Sequence, residues 1–372
     1  MKVPFFGLDR QYLRYREQFL QITDRVLSTG QVLQGADVEA LEGRLAAVCG
    51  RRHVVALGSC TDALAFALKA CGVRPGDEVL ITAMSFVASA SPILRIGAVP
   101  RFVDVEPDYY MMDLSRLRTL VTPRTRALIA VHLYGQTLPM SELEAFAEQH
   151  RLVLIEDAAQ ALGARDGARP AGSMGRASCI SFDPTKVIGA FSSAGAVATD
   201  DEQVARSVRM YRYHGRDPET RQYEVLGYNS QLATEMAAML HFKLEHLEQW
   251  EEERGRVARI YEQRLASLPQ LTLPRVRNGS THNWHKFVVR TAARDALAVG
   301  LRDKGVQTNV HYPRPIPDEH VIKALQLAPD AVDIPVARQL AREILSLPIY
   351  PDLKTEEAEY VAEQIRTFFA RR

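Results

Sequence analysis

Cysteine is scarce in this chain. The 372 residues hold 4, namely Cys49, Cys60, Cys71 and Cys179. They form no C-x-x-C pair and have no nearby histidine pair, so a metal site of the zinc type is not expected. So sparse a set makes no disulfide framework for a chain of this length and fits a reducing compartment. Long apolar runs are missing as well. No uncharged apolar stretch reaches the ~20 residues that span a bilayer. The start, Met1-Lys2-Val3-Pro4-Phe5, soon meets Asp9, Arg10, Arg14, Arg16 and Glu17 instead of an apolar signal core. Charge of one sign is also missing: 46 Lys and Arg against 45 Asp and Glu leave +1. Bulk charge therefore gives no case for a nucleic-acid or membrane partner, although single basic clusters remain available to an anionic substrate. A soluble, cytoplasmic protein is expected.

What is present is an ordinary globular composition, 47% hydrophobic and 24% charged. From about residue 50 to 200, strand-like and helix-like segments alternate. Strands are predicted at His53–Leu57, Glu78–Thr82, Val99–Val105, Ala127–His132 and Leu152–Ile155, with one more apolar run before Lys186. Helical spacing fills Thr61–Ala70, Ala88–Ile96 and Met140–His150. Such alternation implies crossover units and a mostly parallel sheet. In these sheets ligands bind outside the carboxyl ends of the strands. From Leu232 to about Leu268 apolar residues recur at helical period, which predicts one long helix leaving the large domain. A smaller α/β region follows, with strand candidates His285–Arg290 and Gln307–Val310. The division predicted is a large domain over 1–249 and a small domain over 250–372. Neither an internal repeat nor a low-complexity linker separates them.

Two residues carry the chemistry. Lys186 ends Ser181-Phe182-Asp183-Pro184-Thr185-Lys186 after an apolar strand, and Asp157 stands just past Leu152–Ile155 in Glu156-Asp157-Ala158-Ala159-Gln160. A lysine and a carboxylate at the ends of strands are what pyridoxal 5'-phosphate requires. The lysine amine holds the aldehyde carbon and moves the proton of the substrate carbon. The carboxylate pairs with the protonated pyridine nitrogen and keeps the ring an electron sink. Taken alone, Lys186 reads as a surface lysine, as most lysines are; the other reading of Asp157 is a helix N-cap. Ser59-Cys60-Thr61-Asp62 opens a helix, so main-chain N–H groups of Thr61 and Asp62 are placed to meet a phosphate.

In order along the chain stand Ser59–Leu64, Gly76–Val79, Ser85–Ala88, Thr122–Thr125, Val131–Gly135, Glu156–Gln160, the lysine segment, Gly227–Ser230 and His311–Pro313. Together they resemble the DegT/DnrJ/EryC1/StrS family of pyridoxal-phosphate-dependent sugar aminotransferases, over nearly the whole chain. The resemblance implies α/β fold type I: a large domain with a mostly parallel seven-stranded sheet flanked by helices, plus a smaller C-terminal α/β domain. It implies that Ser181 adds a hydroxyl to the phosphate, that Phe86 stacks on the pyridine face, and that Gln160 bonds the phenolic oxygen. Asn229 would reach the phosphate of a neighbouring subunit, making a homodimer with shared active sites. His311 and Tyr312 would line the sugar site, while His132 would be structural.

The resemblance further implies amino transfer from L-glutamate to a nucleotide-linked keto-sugar. Rivals are amination of a free cyclitol ketone, a sugar dehydratase, and a cofactor-binding regulator without turnover. Dehydratases of the family carry histidine in place of the lysine, so Lys186 argues against that reading. Two segments depart from the family pattern. Ser192-Ser193-Ala194-Gly195 replaces a Gly-rich stretch, and Ser230-Gln231-Leu232-Ala233 replaces Ser-Arg-Leu-Asp.

Overall fold

The structure is a computed structural model that describes residues 1–325 and 332–371. Its centre is a sheet of seven strands: β1 (His53–Leu57), β2 (Glu78–Thr82), β3 (Val99–Val103), β4 (Thr125–Val131), β5 (Val153–Asp157), β6 (Ala177–Ser181) and β7 (Gly195–Thr199). Their spatial order is β1-β7-β6-β5-β4-β2-β3. All neighbours pair in parallel except β7, which runs antiparallel between β1 and β6. β2, β6 and β7 are buried along their whole length, as a sheet covered on both faces requires. Helices Cys60–Ala70, Met140–His150 and Glu202–Arg212 are among those that cover it. Asp157 pairs with Val131 on one side and Cys179 on the other. The carboxyl end of β5 is thus mid-sheet, where a cleft opens.

A second core lies toward the C-terminus. β8 (Phe287–Arg290) and β9 (Ile344–Leu347) pair antiparallel. Helices Arg294–Asp303 and Thr355–Ala370 pack there with Val257, Tyr261 and Leu265, and Val3 of the first segment joins them. Trp250, on the helix that carries Val257, belongs instead to the core under the N-terminal helices, so that helix runs from one core into the other.

Three expectations are corrected. The long helix is two, Thr234–Leu244 and Leu247–Leu265. Glu245 and His246 donate to Phe242 and Lys243 three residues back, which tightens the turn and redirects the chain. The apolar period runs on across that break, so periodicity carried no sign of it. Residues 307–310 form no strand: Val306 bridges Val3, Asn309 bridges Ser346, and these different partners prevent a continuous ladder. Ala88–Ile96 is a short 3-10 turn, Val87–Ser89, followed by the helix Ser91–Arg95.

Candidate active site

Lys186 stands in a tight loop after β6. Its amide donates to Asp183 O at 2.9 Å, and the Asp183 carboxylate accepts from the Thr185 amide at 3.1 Å and hydroxyl at 2.7 Å. Phe182, fully buried, closes both ends of the loop, donating to Ala194 O and accepting from Ala190 N. From below, the buried Lys243 ammonium donates to Gly189 O at 2.5 Å. The loop therefore presents Lys186 from a fixed base. Burial lowers the Lys186 pKa, against the pull of Cys60, Asp157 and Asp183. A lowered pKa leaves more of the amine neutral and nucleophilic.

Asp157 is buried, with Oδ1 accepting from Ala159 N at 3.1 Å and Oδ2 from the Ser89 hydroxyl at 2.9 Å. Ser89 in turn meets Ser85 at 2.9 Å. Burial raises its carboxyl above the ordinary value despite these donors and the fields of Lys186 and His132. The site therefore holds a carboxylate short of one cation. Ser89 was not singled out in the sequence, and Ser85 only as the start of Ser85–Ala88; the turn Val87–Ser89 brings Ser89 to β5.

The neighbouring Glu156 behaves oppositely. Oε1 accepts from His132 Nε2 at 2.9 Å and Gly172 N at 2.7 Å. Oε2 accepts from Met174 N at 2.8 Å and the Ser178 hydroxyl at 2.6 Å. His132 Nδ1 accepts from Leu138 N at 3.2 Å, which leaves the proton on Nε2. Burial alone would raise the Glu156 carboxyl, but His132, Ser178 and Gly172 outweigh it and hold it below the ordinary value. A depressed carboxyl contributes stability that is complete above about pH 4.5 and lost as pH falls through the folded value. Glu156→Gln must turn an amide N–H₂ toward two donors, and is expected to cost about 1–3 kcal/mol. Urea unfolding at pH 7 and pH 4 measures this; a loss as large at pH 4 as at pH 7 would contradict the assignment.

At the far end of the cleft, Ser59 caps the helix Cys60–Ala70, its hydroxyl accepting from Asp62 N at 3.1 Å. The Asp62 amide is thereby taken up within the protein. The Asp62 carboxylate is turned to Arg95 and to the Ser230 hydroxyl, 2.6 Å from Oδ2. Asp62 lies outside the cavity wall, whereas Ser59, Cys60, Thr61 and Ser181 line it. Gly195 opens β7 directly against this helix start: a Cβ there would come 2.4 Å from Cys60 N and 2.5 Å from Ser59 C. Gly195→Ala should push the helix N-terminus aside, costing about 1–3 kcal/mol. Cofactor affinity is expected to fall tenfold or more, read by fluorescence titration; wild-type affinity would show that the N-terminus takes no part.

The cavity between these ends measures about 270 Å³ and is lined by Lys186, Asp157, Gln160, Phe86, His311 and Tyr312 among others. Phe86 is 55% exposed, an unusual state for Phe that leaves its face free toward the cleft. Its ring lies 5.8 Å from that of Tyr312. Gln160 is held by Tyr134 N at 2.8 Å and points Nε2 to the Tyr312 hydroxyl at 3.2 Å. His311 bonds Ser346 at 2.8 Å and stacks on Phe5 at 5.6 Å. Asn229 is not brought to this cavity: it is exposed, and its side chain accepts from Gln231 at 3.2 Å.

These residues suit pyridoxal phosphate. An amine, a buried carboxylate lacking a cation, a helix N-terminus with a serine, and a free aromatic face surround one cavity. Gly195 lets β7 lie against that helix start, where a Cβ would strike its backbone. The sequence pattern of the DegT/DnrJ/EryC1/StrS aminotransferase family matches residues 14–366. The chain belongs to that family. It is 40% identical over 366 residues to the erythromycin biosynthesis sensory transduction protein EryC1 of Saccharopolyspora erythraea, covering 98% of this chain and 99% of that one. It is 38% identical over 371 residues to the dTDP-3-amino-3,4,6-trideoxy-alpha-D-glucose transaminase of Streptomyces venezuelae, covering 100% and 97%. The crystal structure of S. venezuelae DesV superposes with a TM-score of 0.96 at 37% identity, covering 100% of this chain and 99% of that one. The fold is that of the pyridoxal-phosphate-dependent aminotransferases, and pyridoxal phosphate is the cofactor of this DegT/DnrJ/EryC1/StrS chain. Among the described residues no helix is long and apolar enough to cross a membrane.

Proposed function

We propose that this protein is an aminotransferase that moves the amino group of L-glutamate to a keto-sugar carried on a nucleotide, in amino-sugar biosynthesis. The observation that carries the reading is Lys186 and Asp157 in the wall of one cavity with a helix N-terminus at its end. When bound, pyridoxal phosphate supplies the electron sink for the carbon that loses its proton. Asp157 would hold the pyridine nitrogen protonated; Thr61 and Ser181 with the Cys60 amide would hold the phosphate; Phe86 would cover one ring face; Gln160 would meet the phenolic oxygen. The Lys186 amine takes the α-proton of the donor, and in the second half returns a proton to the sugar carbon that gains nitrogen. Glutamate leaves as 2-oxoglutarate before the sugar is aminated. His311 and Tyr312 line the acceptor side. The name of the Streptomyces relative, a transaminase of a dTDP-amino-sugar, supports the nucleotide-linked acceptor.

The working unit proposed is a cytoplasmic homodimer. Asn229 is exposed and away from its own cavity, so only another copy's site is open to it. Leu13, Leu20 and Leu27 stand exposed at seven-residue spacing on the N-terminal helices, an apolar stripe for a second chain to cover. The division into domains 1–249 and 250–372 is retained as part of the proposal. A monomer in sedimentation at working concentration would remove the shared site.

The decisive experiment is an absorption spectrum of the cofactor-loaded protein before and after L-glutamate, followed by a panel of dTDP- and UDP-linked keto-sugars and free cyclitol ketones. Bleaching by glutamate and recovery with a nucleotide sugar is expected. Recovery only with a cyclitol would move the acceptor class. A lysine-bound cofactor that ignores glutamate would favour the regulator, the reading suggested by the name of the erythromycin relative.

A further inference from the structure

Lys186 also stands in the wall of a second, smaller cavity of about 30 Å³, the room of one carboxylate group or two or so waters. Phe5, Gly7 and Gln11 of the N-terminal segment form one side, and Arg254, Lys286 and Tyr350 the other. Its polar atoms are unmatched. Lys286 is 7% exposed, and among the described residues its ammonium has no hydrogen bond or ion pair, only the Phe5 ring 5.3 Å away. Arg254, 4% exposed, spends one nitrogen on the Trp284 and Ile349 carbonyls, while its Nε has no partner. The Tyr350 hydroxyl and Gln11 Oε1 are buried and unpartnered too.

The charges facing this cavity do not balance. Lys186, Lys286 and Arg254 are basic, and His285 and His311 lie nearby. Of the carboxylates that act on these cations, Asp352 accepts from Arg14 at 3.1 Å, Asp183 is tied to Thr185, and Glu251, which does not line the cavity, is itself pushed up to about 7 by burial. Burial, with Arg254 and Lys186 beside it, lowers Lys286 to about 7, and burial lowers Arg254 to about 10. Buried donors are left unmatched in native proteins only rarely, and buried cations almost never. A partner that would meet these donors together is an anion small enough for a carboxylate-sized space, and the space adjoins the reactive lysine.

We propose that this cavity receives one carboxylate of the amino donor, held by Lys286 and Arg254 with the Tyr350 hydroxyl as a third donor, so that the donor's amine is presented at Lys186. The donor class is a dicarboxylic amino acid, with its second carboxylate left toward the cofactor cleft. Rotation of the Gln11 amide supplies a fourth donor. The proposal rests on the aminotransferase reading and assigns the donor site within it.

Glutarate, a dicarboxylate with no amine to transfer, separates binding from turnover. It is titrated calorimetrically into the cofactor-loaded protein at pH 8 in two buffers of different protonation enthalpy. Binding with proton uptake is expected, because Lys286 becomes charged when the anion arrives, while His285 and His311, pushed far down by burial, stay neutral. Lys286→Gln should weaken glutarate at least about tenfold and abolish the uptake. Lys286→Arg should keep the affinity and lose the uptake. Tyr350→Phe should bind several-fold more weakly with an unchanged or higher melting temperature, since a hydroxyl without a partner contributes no stability of its own. Lys286→Gln with wild-type affinity and proton uptake overturns the site, as does a wild type that bleaches with L-glutamate but never binds glutarate. A wild type that ignores both compounds overturns the aminotransferase reading itself, and the donor site with it.

Discussion

Lys186→Ala is expected to lower amino transfer by roughly 10⁴-fold or more, because one nitrogen performs two tasks. In the proposed mechanism it would form the covalent link that holds the cofactor's aldehyde carbon, and it would move the substrate proton. No neighbouring group can replace it in both. Cys60 shares the cavity, but burial raises its thiol well above the ordinary value, so it stays protonated. Lys286 lines the adjoining small cavity and not the cofactor cleft. The fold should survive the change, since the loop is fixed by Asp183, Phe182 and the Lys243–Gly189 bond and not by the Lys186 amine. Two measurements check this. Single turnover with L-glutamate gives the rate. Borohydride reduction followed by peptide mass spectrometry finds the linked residue: Lys186 in the wild type, none in the variant. A variant within tenfold of wild type, or a link on Lys286, would overturn the assignment.

The parallel sheet was legible because six of its seven strands are short strand-like runs, and helical periods separate several of them. β7 was harder: Gly195-Ala196-Val197-Ala198-Thr199 is built of small residues, and its reversed direction comes from its two neighbours, not from its own sequence. That Lys186 and Asp157 would meet in one cleft was legible because both follow strand-like runs, and both line the same cavity. The groups that support them were not. Ser89 reaches Asp157 across 68 residues, and Arg95 reaches Asp62 across 33. Lys286 looked like one polar residue in a strand until Phe5 and Arg254 were folded around it. Asp62 shows how a motif overstates its parts: the helix start points to an anion site, yet its third amide is consumed by the cap.

Asp157→Asn should separate stability from function. The amide has the shape of the carboxylate, and the Ser89 hydroxyl can turn to accept from it while donating to Ser85. Burial raises the native Asp157 carboxyl above 3.8. A raised acid works against folding: the protein loses stability as pH rises from the ordinary value through the folded one, and the loss persists at neutral pH. The variant lacks this penalty, so without cofactor its melting temperature should match or exceed that of the wild type. With cofactor the order should invert. In the proposed mechanism the wild type would gain the pairing of a buried carboxylate with the protonated pyridine nitrogen; the amide could not compensate that charge, and the added stability on loading should shrink. Activity should fall by about 10³-fold, the scale of losing one preorganised electrostatic contact in a water-poor site. Thermal unfolding with and without pyridoxal phosphate, beside the glutamate half-reaction, measures all three. A variant that melts lower without cofactor, yet keeps its activity, would make Asp157 a helix cap and nothing more. The opposed shifts are the mark of a residue whose buried charge is unfavourable until the ring nitrogen sits against it.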